Sequence, residues 1–307
     1  MPIIGSRGGG AVKGFGLTSG RTIRPFIEAE GGTILTCGDY KTHVFTGDGT
    51  FNVKNEGTTD GSNSFEYLVV AGGANGGSYF RGGGGGAGGF RENYPSPAFG
   101  GLAAAYGIFP ITVGGGGGSP TQAPGSTGSP STFSSISSTR GGNEGQTGGS
   151  GGGTNGQAPG PAGNLGGYSP PEGFPGGRST GGCSPGGGGG GGATQAGSNG
   201  APGNSVPAGP GGNGAGIETA FFGPTAPSYG TPGPSGSFRY FSGGGGGGTY
   251  GCGVVGTGGT GGGGTVNSPS PVNSGGGGGA GRFTGYPPST FPSYGGSGLV
   301  AIRYKFQ

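Results

Sequence analysis

Charge is the scarcest commodity in this chain. Lys and Arg number 14, Asp and Glu 11, and together they make 8% of 307 residues, with a net charge of +3. So small an imbalance gives no cationic surface of the kind nucleic acid requires, and the Arg-Gly-Gly triplets at Arg7, Arg81 and Arg140 are too scattered to make one. Histidine occurs once, as His43, in a strand-like pattern, so no Ser-His-Asp set can be assembled around it. The carboxylates of the glycine-rich region are Glu92, Glu144, Glu172 and Glu218, too dispersed to argue an acid/base pair. No Gly-Lys-Ser/Thr stands where a phosphate loop would need it, and metal ligands at suitable spacing are missing. The expectation is a non-enzyme with no cofactor and no metal.

The three cysteines, Cys37, Cys183 and Cys252, are odd in number and far apart, which shows neither a disulfide framework nor a zinc motif and leaves free thiols or a single Cys183–Cys252 bridge. The N-terminus lacks the apolar stretch of a secretory leader. The longest apolar run, Tyr67 to Ala71, is far too short for a membrane helix, so membrane insertion is not expected.

What the chain has is glycine: 97 residues, with 26 Pro. Collagen needs Gly at every third position. Here Gly186 to Gly192 is unbroken, and Phe238-Arg239-Tyr240-Phe241 contains none, so a triple helix is excluded. Disorder is opposed by the low charge and by aromatics at 10%, which recur between the glycine runs. Four zones follow. Residues 1–30 read as an extended arm, with Arg7, Lys13, Arg21 and Arg24 as attachment residues for a partner. Residues 31–71 read as a β-module with strands at Thr33–Thr36, Tyr40–Thr46, Thr50–Val53 and Phe65–Ala71. Gly47-Asp48-Gly49 reads as a hairpin turn. Phe65–Ala71 is nearly all apolar, as in a strand covered on both faces. Residues 72–298 are the glycine-rich zone, with runs at 82–86, 114–118, 186–192, 243–248, 261–264 and 275–279. Residues 299–307 carry a closing strand, the expected partner of Tyr67–Ala71. Ile108–Val113 is a further strand that Pro110 demotes to an edge or bend.

A chain so poor in side chains can still pack through its backbone. A polyproline II-type helix has three residues per turn and no internal hydrogen bonds, so its amides must find partners on neighbouring segments. A segment surrounded on all sides tolerates only small residues. A segment on the outside can carry one larger residue per turn. Proline, lacking a donor, belongs in loops or on outer faces. The expected fold class is mostly irregular and β: a short N-terminal β-module, a layered polyglycine II helix bundle with surface loops, and a closing C-terminal β-strand.

The segments FEYLVVAGGANGG, RGGGGGAGGFRE, ITVGGGGG and GGSGLVAIRY, preceded by GGTILTCGDYKTHVFTGDGTFNV, resemble the glycine-rich domain of tail-fibre and appendage proteins of tailed bacteriophages. The composition is also similar to the polyglycine II tip adhesins of T-even-type phages. The resemblance covers about residues 31 to 304. It implies a virion protein of the tail or its appendages, assembled in the host cytoplasm, that docks on other virion proteins through its arm. It also implies contact with a host surface glycan or outer-membrane protein through loops; homo-oligomerisation is left open. Three loops rich in aromatics and proline are the candidates. They supply Tyr168, Phe174 and Arg178; Phe221, Phe222, Tyr229, Phe238, Arg239 and Tyr240; and Phe283, Tyr286 and Phe291. Each loop either binds a receptor or covers a face of the bundle. The competing functions are a purely structural virion protein and, from another class, an ice-binding glycine-rich protein.

Overall fold

The computed structural model describes residues 23–77, 81–95, 101–118, 125–181, 185–203, 206–223, 229–251, 253–283 and 291–307. Its elements are mostly β, in antiparallel sheets, with no α-helix among the described residues. Two sheets form a sandwich. The first contains β1 (Ile27–Glu30), β4 (Gly49–Glu56), β8 (Gly107–Thr112), β9 (Ser131–Phe133) and β10 (Ile136–Ser138), in the order β1-β4-β8-β9-β10. The second contains β2 (Thr33–Cys37), β3 (Tyr40–Phe45), β5 (Ser64–Val70), β6 (Phe90–Glu92) and β13 (Leu299–Lys305), in the order β2-β3-β13-β5-β6. Strand β7 (Leu102–Ala103) pairs with the start of β5.

The strand alternation explains the packing. Phe65, Tyr67 and Val69 of β5 and Val300, Ile302 and Tyr304 of β13 face the inter-sheet core, where they meet Ile27, Phe51, Val53, Ile111 and Phe133 of the first sheet. The rings interlock edge to face: Phe51 lies 5.4 Å from Phe65 and 5.9 Å from Phe133. The alternate residues Leu68, Val70, Leu299 and Ala301 face the other way, into a second core with Ile217, Phe221, Phe222, Tyr229 and Phe241. Those residues come from the ribbon of β11 (Ala215–Glu218) and β12 (Phe238–Phe241) and the segment between them. Covering both faces is what makes β5 almost uniformly apolar.

The expected partnership of the closing strand holds: Leu299 pairs with Val70 and Ile302 with Tyr67. The expected hairpin at Gly47-Asp48-Gly49 does not. β3 pairs with β2 and β13, whereas β4 pairs with β1 and β8, so these residues cross from one sheet to the other. The physical reason is that Phe45 before the crossing and Phe51 and Val53 after it face each other across the core; in a hairpin they would lie side by side. The Asp48 carboxylate fixes the crossing by accepting the Val113 N–H at 2.9 Å. Pro110 is also corrected. Its strand β8 lies inside the first sheet, but β9 reaches only Ile111 and Thr112, so the missing donor of Pro110 falls where no strand pairs on that side. Ile27–Glu30, the end of the segment read as an arm, is strand β1.

Glycine segments run out from the sandwich at the ends of four strands: Ala71 follows β5, Gly89 precedes β6, Thr139 follows β10 and Gly298 precedes β13. Their hydrogen bonds repeat every third residue. In the segment 82–89, Gly84 and Ala87 donate to Gly188 and Gly191; Gly85 and Gly88 donate to Gly278 and Gly275; Gly86 and Gly89 donate to Gly142 and Thr139. Its carbonyls accept with the same period from three other segments: from Gly77 and Ala74 at Gly83 and Gly86, from Gly153 and Ser150 at Gly84 and Ala87, and from Gly248 and Gly245 at Gly82 and Gly85. Six different segments thus surround one. The segment 243–248 likewise donates to 261–264, 209–212 and 82–85, and accepts from 277–280, 256–259 and 187–190. Buried backbone groups are satisfied without an oily core.

Such close approach leaves no room for a side chain. A Cβ on Gly245 would stand 2.0 Å from the Gly278 carbonyl oxygen. In outer segments the rule relaxes to two small inward residues in three, leaving one position per turn for a larger residue: Ala208 is buried, and a Cβ on Gly211 would meet the Gly244 carbonyl oxygen at 1.9 Å. Gly209 and Gly212 face in, with a Cβ at either meeting a carbonyl oxygen at 1.9 and 2.0 Å, while Pro207, Pro210 and Asn213 are exposed. Gly245→Ala is expected to cost at least about 2–3 kcal/mol, the upper range for overpacking. Gly115→Ala, where an added Cβ meets nothing within 4 Å and φ is not positive, is expected to be neutral or to stabilise by about 0.5 kcal/mol. Urea unfolding midpoints of the two variants check this; equal effects would contradict the packing.

Candidate binding surfaces

The bundle has two ends. At the sandwich end, the Glu172 carboxylate is fully buried and accepts the N–H of Thr139 at 2.7 Å and of Gly166 at 3.3 Å. At the far end, the Glu144 carboxylate accepts the Gly83 N–H at 3.0 Å. Each carboxylate takes the place of a neighbouring carbonyl where a glycine segment runs out. The sequence reading weighed both residues only as catalytic acids and missed this role. The one available signal was a charge set within or beside a nearly charge-free tract. Burial pushes the Glu144 carboxyl up to about 7 from its ordinary 4.5, with the Gly83 hydrogen bond opposing.

His43 is fully buried in the sandwich. Its Nδ1 lies 2.7 Å from the Gly31 carbonyl and its Nε2 3.0 Å from the Tyr304 hydroxyl. This pairing suits a neutral ring that donates from Nδ1 and accepts at Nε2. Burial lowers its pKa, against the raising effect of the Gly31 hydrogen bond. Packing, not chemistry, accounts for it.

The candidate loop residues divide between the ends. Phe221, Phe222 and Tyr229 are buried in the second core, with ring contacts of 5.1 Å between Phe221 and Phe222 and 5.5 Å between Phe222 and Tyr229. Of the two readings open for this loop, packing is the one that applies to them. Phe238, Arg239 and Tyr240 are half-buried on β12, and Arg239 donates to the carbonyls of Tyr229 and Gly230, both at 2.8 Å. Tyr168 is half-buried at the sandwich end, its ring 3.9 Å from the Arg91 guanidinium. Its partner Arg91 and the next residue, Ser169, line a cleft of about 330 Å³ together with Phe90, Glu92, Pro170 and Thr194, among others. Phe174 is exposed, and Arg178 is exposed at the far end of the same segment. Phe283 stacks on Tyr250 at the far end, with centroids 5.5 Å apart and planes at 17°; Phe291 is 54% exposed. The three loops therefore do not converge on one tip. Tyr286, Arg7, Lys13 and Arg21 lie outside the described residues. Arg24 pairs with Glu28 and donates its backbone N–H to Asn55 at 3.0 Å, within its own chain.

Among the described residues no helix is long and apolar enough to cross a membrane, and no group of His, Cys, Asp or Glu is arranged to hold a metal ion. The sequence profile of the glycine-rich domain matches residues 46–305, from the end of β3 through β13. The chain belongs to the glycine-rich domain family. That match takes in β4 to β13 and the glycine segments between them, and leaves out β1, β2 and β3. No curated protein matches the chain.

The raised pKa of Glu144 has a definite sign. A carboxyl whose folded pKa exceeds its unfolded one supports the fold fully below about 4.5 and loses that support as pH rises through about 7. His43, shifted down, acts oppositely and costs stability as pH falls below about 6.5. Glu144→Gln keeps an acceptor for Gly83 but cannot ionise. The wild type is expected to lose more Tm than this variant between pH 5 and pH 8; parallel Tm–pH curves would refute the assignment.

Proposed function

We propose that this protein is a structural and adhesive component of a tailed-phage particle, a non-enzyme in which a backbone-packed bundle holds contact residues at a distance from the sandwich. The glycine segments are polyglycine II helices on this reading. The observation that carries it is the three-residue hydrogen-bond period with six neighbouring segments around 82–89 and 243–248. That number of bonding directions is what a three-residue turn offers: three donors and three acceptors per turn, each pointing to a different neighbour. No glycine from 243 to 248 has a positive φ, in keeping with the left-handed polyproline-type conformation. A scaffold of this kind has almost no side chains with which to recognise anything, so recognition falls to its ends. The sandwich end is occupied by the two cores and suits anchorage to the particle, with residues 1–22 as the link to other virion proteins. The far end suits contact with a host surface glycan or outer-membrane protein.

Replacement of the far-end residues Arg81, Thr249–Gly251 and Arg282–Phe283 by Gly-Ser spacers, in particles that still incorporate the chain, is expected to lower the adsorption rate on host cells at least about tenfold. Unchanged adsorption would overturn the adhesive reading. A purely structural role is the second reading, favoured by the burial of Phe221, Phe222 and Tyr229, which turns the most aromatic loop into core. It predicts that particles lacking the far-end segments adsorb normally, and that deleting residues 1–22 yields particles without this chain.

A further inference from the structure

Four Asn-Gly pairs occur in the sequence: Asn75-Gly76, Asn155-Gly156, Asn199-Gly200 and Asn213-Gly214. Such a pair has the chemistry to modify itself. The glycine nitrogen, once it has lost its proton to hydroxide, attacks the side-chain carbonyl carbon of the Asn, and the missing Cβ leaves the backbone free to bring the two together. Two freedoms are required. The glycine N–H must be open to water, and the carboxamide must be able to swing onto it.

The backbone network denies both at three of the pairs. Gly76 donates its N–H to Ser293 at 3.3 Å, and Asn75 is fully buried. Gly200 donates to the Arg178 carbonyl at 2.9 Å, while Asn199 Oδ1 accepts the Arg178 N–H, also at 2.9 Å. Gly214 donates to the Thr260 carbonyl at 2.7 Å; Asn213 Oδ1 accepts the Thr260 N–H at 3.1 Å, and its Nδ2 donates to Gln195 at 2.8 Å. The fourth pair differs. Asn155 is exposed at the far end, just beyond the residues Gly153 and Thr154 that donate to Gly84 and Gly177. The Gly156 carbonyl is held by the Ser179 N–H at 3.1 Å and the Thr154 hydroxyl at 2.9 Å. Among the described residues, however, the Gly156 N–H and the Asn155 carboxamide have no hydrogen-bond partner. A Cβ placed on Gly156 would meet nothing within 4 Å, so the space around the nitrogen is open as well.

We propose that Asn155-Gly156 is a self-modification site, the one Asn-Gly pair of the four that the folded bundle leaves free to deamidate. The Gly156 nitrogen forms a bond to Asn155 Cγ. The Cγ–Nδ2 bond breaks, and the departing nitrogen takes up a proton and leaves as ammonia. Water then opens the succinimide ring at either carbonyl, giving aspartate or isoaspartate, so water is the only reagent consumed. The net charge of +3 falls by one, and the new carboxylate stands at the far end. In the isoaspartate product the main chain runs through the former side chain, which lengthens it by a methylene between the bonds held by Thr154 and by Gly156. The far end thereby carries a chemical record of the age of the molecule.

The test is incubation of the full chain at pH 8 below its melting temperature, followed by peptide mapping for the mass gain of amide-to-acid conversion and by enzymatic methylation of isoaspartate. Asn155 is expected to convert at least about tenfold faster than Asn75, Asn199 or Asn213, because hydrogen bonds at those pairs must open first. In urea, with the network gone, the four rates are expected to converge to within about threefold. G156A fits the fold, since φ at Gly156 is not positive and the space is free. It is expected to slow conversion at Asn155 at least about tenfold, because the added Cβ restricts the backbone that must bend to close the ring. N155Q is expected to give no product there, its longer side chain having a larger ring to close. Equal rates at Asn155 and at Asn199 or Asn213 in the folded chain would overturn the inference. So would an Asn155 that stays intact in the folded chain while converting in urea, or an unchanged rate in G156A.

Discussion

Every interior glycine segment must place each amide within hydrogen-bond reach of a different neighbour, and that demand sets almost everything else. A single backbone hydrogen bond contributes only about 0.5–1.5 kcal/mol net. Glycine gives up roughly 0.5–1 kcal/mol more than alanine when its backbone is fixed. The two quantities are of the same size, so the bundle gains only if nearly every donor and acceptor is used. The triad of donors around 82–89, matched by its triad of acceptors, meets that condition. Where a neighbouring carbonyl runs out, Glu144 and Glu172 stand in, and outer segments may expose proline because a missing donor there faces water.

The sandwich supplies what the bundle cannot. Its two cores bury Phe51, Phe65, Phe133 and Tyr304 on one side of the second sheet and Phe221, Phe222 and Phe241 on the other. Burying a large apolar side chain contributes about 1.5–3 kcal/mol, more than any one glycine contact can. Strand ends also fix where glycine segments begin, so the register of β5 against β13 sets the level at which Ala71 and Gly298 enter the bundle. The ribbon of β11 and β12 emerges from the bundle only to return its aromatics to the sheet.

Much of this was legible in the residues. The strands from Thr33 to Ala71 and the burial of both faces of β5 follow from alternation and composition, and the pairing of the closing strand with β5 follows from the way the two bracket the glycine-rich tract. Small residues at every position of 82–89 foretold a surrounded segment. What the sequence hid were relations between distant parts. Gly47-Asp48-Gly49 has the local chemistry of a hairpin, but the facing of Phe45 with Phe51 and Val53 is a property of two sheets. Phe221 and Phe222 look like loop-tip residues until β3, β5 and β13 are seen to need a cover. Which end of the bundle a loop occupies depends on the direction of its segments, and glycine runs carry no mark of direction.

The position of β13 has a consequence for how the chain is assembled. It lies between β3 and β5 in the sheet, yet the whole glycine-rich tract separates it from both. During synthesis the two flanking strands emerge early and must wait, each with a bare hydrogen-bonding edge, until the ribosome has delivered the tract and the strand that fills the gap. Such long-range closure slows folding and exposes edges to wrong partners in the interval. The nearly charge-free tract is thus also a timer, and its length sets how long an unfinished sheet is at risk of joining its neighbour on the same polysome.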